Sequence, residues 1–499
     1  MGESSQKFII PKGVTETLKT LEKANFQAFL VGGCVRDLML HVKPKDWDIT
    51  TNAKPEQIAG LFPKTFYENN YGTVTVVDEG AEDETEKHIE ITPFRLEAKY
   101  SDKRHPDSVT FSDKIEDDLG RRDFTINAMA YLPRHGVGSD KGQIIDPYGG
   151  VKDLKDKTIL AVGNASDRFE EDPLRIMRGI RLATQLGFTL NSETFTAMVA
   201  TAPLLKKIAV ERINDEFSKL IMSKNLMIGV VLLQKAGALK EFLPELEEGI
   251  GMKQNGDHIY DVWEHTLRVA QHSADKDFAF HVRLSALFHD IGKPRTREFS
   301  KEKNDYTFYG HDVIGAQMAK NILKRLKFSH ETTDLVTKLV RNHMFFSDVD
   351  KITLSAVRRI VRNVGREEVW DLMKVRNCDR IGMGRPKESP YRLRKYEAMI
   401  DEALRAPTSV AMLKIKGEDV IRETGLAPGP KIGYVLHALL EEALENPELN
   451  NVEYLINKAK ELSKLDDAKL KELGESGKEK KEAVEGEAIK KIHEKHWVK

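Results

Sequence analysis

An apolar run that stops at two glycines and passes straight into a helix-like segment, FQAFLVGGCVRDLML (residues 26–40), constrains this chain more than any other stretch. A strand turning through Gly32-Gly33 directly into a helix is an α/β device. Its backbone N–H groups can cradle phosphates, and Arg36 adds a cation on the helix. The next run, PKDWDITT (44–51), reads as a second strand and carries an oddity. Asp is disfavoured in strands. Asp46 and Asp48 stand at i and i+2, so their side chains share one face while Trp47 points to the other, packed side. Two like charges on one strand face repel, and a cation between them removes the conflict.

Around this pair, residues 14–24 and a segment from Pro55 read as helices, and 72–78 and 88–94 as strands. The acidic stretch DEGAEDETEK (78–87) is the loop between those strands. From about 165 onward strand signals fade, and 173–186, 205–222, 226–237, 262–274, 281–291 and 313–326 carry apolar residues at helical spacing. The expected class is α+β: a mixed-sheet head over 1–150, then a mostly helical body. Within that body 151–250 forms a neck, 251–400 a further domain, 401–463 a helical region and 464–499 a charged helix or frayed tail.

Composition narrows the class. The 499 residues are 40% hydrophobic and 31% charged, as in a soluble globular protein. No apolar run is long enough to span a membrane, and MGESSQKFII lacks the regions of a signal peptide. Cys34 and Cys378 imply a reducing compartment, expected to be the cytoplasm. A net charge of -1 does not announce a nucleic-acid partner, so RNA contact must use local patches. No obligate protein partner is evident.

The glycine turn followed by Asp-x-Asp resembles the signature of polymerase-β-like nucleotidyltransferases. GRRDFTINAMAY (120–131) and EEDPLRIMRGIR (170–181) then stand in the order and spacing of the class II transfer-RNA nucleotidyltransferase and bacterial poly(A) polymerase family. DKRHPDSVTF (102–111) resembles that family's flexible loop, found in members that add the terminal adenosine. The resemblance covers roughly residues 25–250. It implies that Asp46 and Asp48 bind catalytic Mg²⁺, with Glu90 as a candidate third carboxylate. Gly32, Gly33, Arg36, Arg122, Asp123, Asn127 and Arg178 would bind the nucleotide, Asp123 accepting from a ribose hydroxyl. Asp172 and Arg175 would read the base without a nucleic-acid template. A carboxylate accepts from the exocyclic amine of cytosine or adenine, a guanidinium donates to the adjacent ring nitrogen, and the carbonyls of uracil and guanine are rejected. Standing alone, Asp172-Pro173 would be a helix cap, and Glu171–Arg175 an i,i+4 pair.

A second constellation lies further on. His265, His289-Asp290 and Asp379 follow the H…HD…D order of the HD metal-dependent phosphohydrolases, with His311 and His343 as additional candidates. Mixed imidazole and carboxylate ligands suit Ni²⁺, Mn²⁺, Fe²⁺ or Co²⁺, and admit Mg²⁺. Lys293 and Arg295 either hold a phosphate or are surface charge.

The expected activity is addition of C, C and A to the 3′ end of tRNA from CTP and ATP, with release of pyrophosphate. An A-adding enzyme or a poly(A) polymerase shares the same motifs. From another class, an HD phosphohydrolase with a non-catalytic RNA-binding head would need no metal pair at Asp46 and Asp48.

Overall fold

The computed structural model describes residues 5–6, 8–67, 72–81, 83–98, 108–133, 142–255, 259–345, 351–405 and 409–498. Most of the expected flexible loop, 102–107, therefore lies outside the described residues. The chain forms two compact units: residues 1–341 with 378–385, and 342–377 with 386–499.

The first unit begins with an eight-stranded mixed sheet. Its strands are β1 (Ser5–Gln6), β2 (Ala28–Val31), β3 (Trp47–Thr51), β4 (Thr65–Tyr67), β5 (Val74–Val77), β6 (His88–Pro93), β9 (Ala130–Leu132) and β10 (Gly142–Ile145). A separate hairpin pairs β7 (Arg95–Ala98) with β8 (Ser108–Phe111). The sheet order is β1-β10-β9-β2-β3-β6-β5-β4, and every neighbour is antiparallel except β3 and β6. That parallel pair requires a crossover, supplied by the helix Pro55–Leu61 and the outer strands β4 and β5. Trp47 and Ile49 face the core, at 2% and 0% exposure, so the alternation expected around Asp48 is realised. The acidic loop expected at 78–87 contains a short 3₁₀ turn, Glu84–Glu86.

Beyond the sheet the first unit is helical. The helix Leu174–Leu186 buries Ile176, Met177 and Ile180, and packs on Val210–Ile221 and Leu226–Lys235. The apolar core runs continuously from the sheet through these helices to Leu284, Leu287 and Phe288, so Phe288 is core, and Trp263 packs half-buried against it.

The second unit has its own core around Val435, Leu439 and Leu455. Residues 467–495 form one helix, laid along Pro430–Glu445. Gly474 and Gly477 make this approach feasible. A Cβ on Gly474 would lie 2.6 Å from the Tyr434 Cα, and one on Gly477 2.2 Å from the His437 carbonyl oxygen. The charged tail is therefore a packed helix.

Candidate active site

An open cavity of 890 Å³ lies between the sheet and the helices after 170. Gly32, Gly33, Arg36, Asp46, Asp48, Glu90, Arg122, Asp123, Asn127, Asp172, Arg175 and Arg178 all line it. Residues from five separate stretches of sequence thus meet on one wall.

The carboxylates come first. β3 begins at Trp47, so Asp46 stands in the bend just before the ladder and Asp48 is its second residue. The parallel register sets Glu90 of β6 directly beside Asp48. Burial, the Asp46 charge and the Glu90 charge push Asp48 up to about 7, against the pull of Arg122 and Arg178. A group of hard oxygen donors that resists holding its full negative charge is what a divalent cation relieves. The donor set fits Mg²⁺.

Gly32 has φ +79°, and a Cβ there would meet the Arg122 Nη1 at 2.7 Å. Its own N–H donates to the Met129 carbonyl at 3.3 Å. Glycine is therefore required at 32 by backbone conformation and by the guanidinium beside it. Arg122 and Arg121 are not a solvated basic pair, since both donate to Asp118, whose side chain is fully buried. Arg36 donates to the Asn127 Oδ1 at 2.8 Å, and Asn127 donates to Asp123 at 3.2 Å. Asp123 also accepts from the Phe124 N–H and from Arg178 Nε, at 2.9 and 2.8 Å. Burial raises Asp123, but Arg178 and Arg175 outweigh it and hold the carboxyl at about 2. Asp123 is charged at every working pH.

Asp172 does cap the following helix, accepting from the Leu174 N–H at 3.1 Å. Arg175 does pair with Glu171, at 2.7 Å, and also donates to the carbonyls of Arg168 and Arg121. Both bland roles are thus real, and neither exhausts the side chain. Arg175 has five N–H donors and commits three. The residue that sequence reading missed is Arg212. Its guanidinium grips both oxygens of Asp172, at 3.2 and 2.7 Å. Forty positions separate the partners, and no local pattern links them.

The histidine constellation also assembles within the first unit. His265, on the helix Val262–Asp275, has its Nε2 at 3.1 Å from the His289 Nε2 and at 3.2 Å from both Asp290 Oδ2 and Asp379 Oδ1. His289 Nε2 reaches Asp290 at 3.1 Å, and His311 Nε2 reaches it at 3.4 Å. The Nδ1 atoms of His289 and His311 lie against the Ala286 and Phe308 carbonyls, at 2.8 and 2.7 Å. Those carbonyls fix the Nδ1–H tautomer and turn each Nε2 lone pair inward, as outer-shell partners of metal-binding histidines do. His265, His289 and Asp379 offer ligand atoms within 4.8 Å of one another. Burial lowers His265, but its bonds to Asp290 and Asp379 carry it to about 9, so without a metal a proton neutralises the carboxylates. The donor set fits a divalent ion. Lys293 is buried against Asp290 at 2.6 Å, while Arg295 is bound to Glu248 at the surface. His343 belongs to the second unit.

Comparison with known proteins agrees with this geometry. The poly A polymerase head domain model matches residues 28–160, the model described as the probable RNA and SrmB-binding site of polymerase A matches 187–250, and the HD domain matches 257–389. The CCA-adding enzyme of Lactococcus lactis subsp. lactis is 34% identical over 451 residues, covering 89% of this chain and 96% of the relative. The chain belongs to the CCA-adding enzyme family. The family's Ligilactobacillus salivarius member is 33% identical over 467 residues, covering 91% of this chain and 98% of its own. The crystal structure of the Bacillus stearothermophilus CCA-adding enzyme in complex with CTP aligns with TM-score 0.58 and 28% identity, covering 91% of this chain and 98% of that one. The α+β head followed by a helical body is thus the family fold, and both the head and the HD domain are divalent-metal modules.

Proposed function

We infer that this protein is a tRNA nucleotidyltransferase that builds the 3′-terminal CCA without a nucleic-acid template, taking CTP and ATP and releasing pyrophosphate. The observation that carries the reading is one cavity lined by all the head and neck residues expected to bind Mg²⁺, triphosphate, ribose or base. Asp46 and Asp48 would hold Mg²⁺ with Glu90 beside them, which would supply there the Lewis acidity for activating the terminal 3′ hydroxyl and offsetting charge on the departing pyrophosphate. Arg122, kept in place by Asp118 and by the clearance at Gly32, faces the triphosphate with Arg36 and the Gly33 amide. Asp123, ionised and fixed by Asn127 and Arg178, accepts from the ribose hydroxyl. A carboxylate has about four lone-pair positions. Arg212 and the Leu174 N–H fill three on Asp172, which leaves one for the amine of C or A. Arg175 keeps two donors for the neighbouring ring nitrogen.

The remaining assignments follow from the same reading. Residues 1–150 form the catalytic head, 151–250 the base-reading neck and 251–400 the HD region, with helices closing the chain. tRNA is gripped through phosphates and shape by the body after 180. Among the described residues no helix is long and apolar enough to cross a membrane. Two buried cysteines that form no disulfide suit a cytoplasmic protein. The HD centre takes Ni²⁺, Mn²⁺, Fe²⁺, Co²⁺ or Mg²⁺, which when bound supplies Lewis acidity toward a phosphoester at an RNA 3′ end.

The test is extension of a tRNA lacking CCA, followed at single-nucleotide resolution. Ordered growth by C, C and A that then stops, and is abolished by Asp46→Ala, is the expected result. A single A added only to a CC end, or a long A ladder, would replace this reading with a sibling activity. Unchanged extension by Asp46→Ala would overturn the metal assignment.

A further inference from the structure

The chain entering the HD centre carries a feature that the reading above leaves unused. Glu298–Ser300 pairs antiparallel with Asp305–Thr307, and this hairpin runs through Phe308, Tyr309 and Gly310 into His311. Two large aromatics along this stretch stand out into solvent: Phe299 is 54% and Tyr309 72% exposed. Cations accompany the rings. Arg297 lies 3.6 Å over the Tyr306 ring, and Phe299 meets Tyr306 edge-on at 5.4 Å. The Lys303 Nζ is 2.7 Å from the Tyr309 hydroxyl and 5.3 Å from its ring centroid. Those two distances set the ammonium beyond the hydroxyl end of the ring, which leaves the aromatic faces open. Gly310, at φ +75°, then turns the chain so that His311 reaches Asp290. Tyr309 is thus two residues from His311, and their Cα atoms lie within about 7 Å of each other.

An open aromatic face flanked by a cation is the chemistry that binds unstacked bases and their phosphates. We propose that the hairpin is the base-binding platform of the HD centre. The last base of a single-stranded RNA stacks on Tyr309, Lys303 pairs with a backbone phosphate, and a 3′-terminal phosphate is presented to the cluster. This rests on the hydrolase reading of that centre. In the step, a water oxygen bonds to phosphorus and the P–O3′ bond breaks. The water's proton passes to O3′, giving inorganic phosphate and a 3′ hydroxyl. That hydroxyl is the group which the nucleotidyltransferase cavity extends.

The test uses the full chain and a tetranucleotide with a 3′-terminal 4-thiouridine 3′-phosphate, photo-crosslinked and mapped by peptide. The crosslink is expected within 297–309. It falls at least roughly tenfold in Tyr309→Ala and survives in Tyr309→Phe, as stacking requires. Phosphate release from glycerol 2-phosphate, which has no ring to stack, stays at the parental rate in both variants. A crosslink elsewhere, or one undiminished in Tyr309→Ala, overturns the platform while leaving the hydrolase reading intact. Absence of phosphate release from either substrate with Mn²⁺, Ni²⁺, Co²⁺ or Mg²⁺ overturns the hydrolase reading, and the proposal with it.

Discussion

Replacing Arg212 by methionine tests the base-reading argument most directly, because it leaves Asp172 and Arg175 in place and removes only what holds the carboxylate. The two hydrogen bonds, at 3.2 and 2.7 Å, join a carboxylate that is 13% exposed to a guanidinium that is 23% exposed. Bonds to a charged partner contribute about 1.5–3 kcal/mol each in such settings, less whatever water recovers after the loss. A net deficit of about 2–4 kcal/mol in transition-state positioning corresponds to a roughly 30- to 900-fold drop in kcat/KM. The drop should apply to both CTP and ATP, since one carboxylate reads both amines. Rejection of UTP should weaken as well, because a mobile carboxylate no longer fixes an acceptor opposite the uracil carbonyl. Arg212→Lys, which keeps the charge but not the two-pronged grip, should fall between. The assay is single-turnover incorporation of C, A and U on tRNA lacking CCA. Parental rates and parental discrimination in Arg212→Met would refute the reasoning, since Asp172 would then need no support.

Other perturbations separate the remaining parts. Asp48 has a folded pKa of about 7 against an ordinary 3.8, so the metal-free protein binds the extra proton and loses stability as pH rises between those values. Asp48→Asn should therefore raise stability at pH 8 in EDTA by on the order of 4 kcal/mol, read as a higher calorimetric Tm. It should also abolish the Tm rise that Mg²⁺ gives the parent. Asp379→Asn should lower bound divalent metal, read by elemental mass spectrometry, and leave CCA addition unchanged. Gly477→Val should force the helix Asp467–Lys495 off Pro430–Glu445 and cost about 1–3 kcal/mol in urea unfolding.

Local signals carried well where the relevant partners are near in sequence. Alternation around Trp47, the glycine turn and most helical periods after 165 became the expected elements. However, 205–222 is broken into a 3₁₀ turn, Ala202–Lys207, and the helix Val210–Ile221, and 281–291 ends as a helix at Phe288, which leaves His289 and Asp290 in the turn beyond it. The tail was harder to read, because its charges suggested solvation while the decisive feature was two glycines that only matter against Tyr434 and His437. Glu90 could be suspected but not aligned with Asp48, since a parallel register depends on a crossover of some forty residues. Arg212 was invisible for the same reason. Its partner is set by how two helices pack, and an arginine on a helix surface has many ordinary explanations.

The anchoring of Arg175 bears on how such a protein could change what it adds. The guanidinium is tied to main-chain carbonyls at Arg121 and Arg168 and to Glu171, so its position is written into backbone from both the head and the neck. On the base-reading role proposed for Arg175, swapping one neighbour, as at Arg212, loosens discrimination without re-aiming the guanidinium at a new base. New base preferences would have to arise from insertions or hinge changes that reset those segments together. Drift in nucleotide choice should accordingly be rare in such lineages, and abrupt when it occurs.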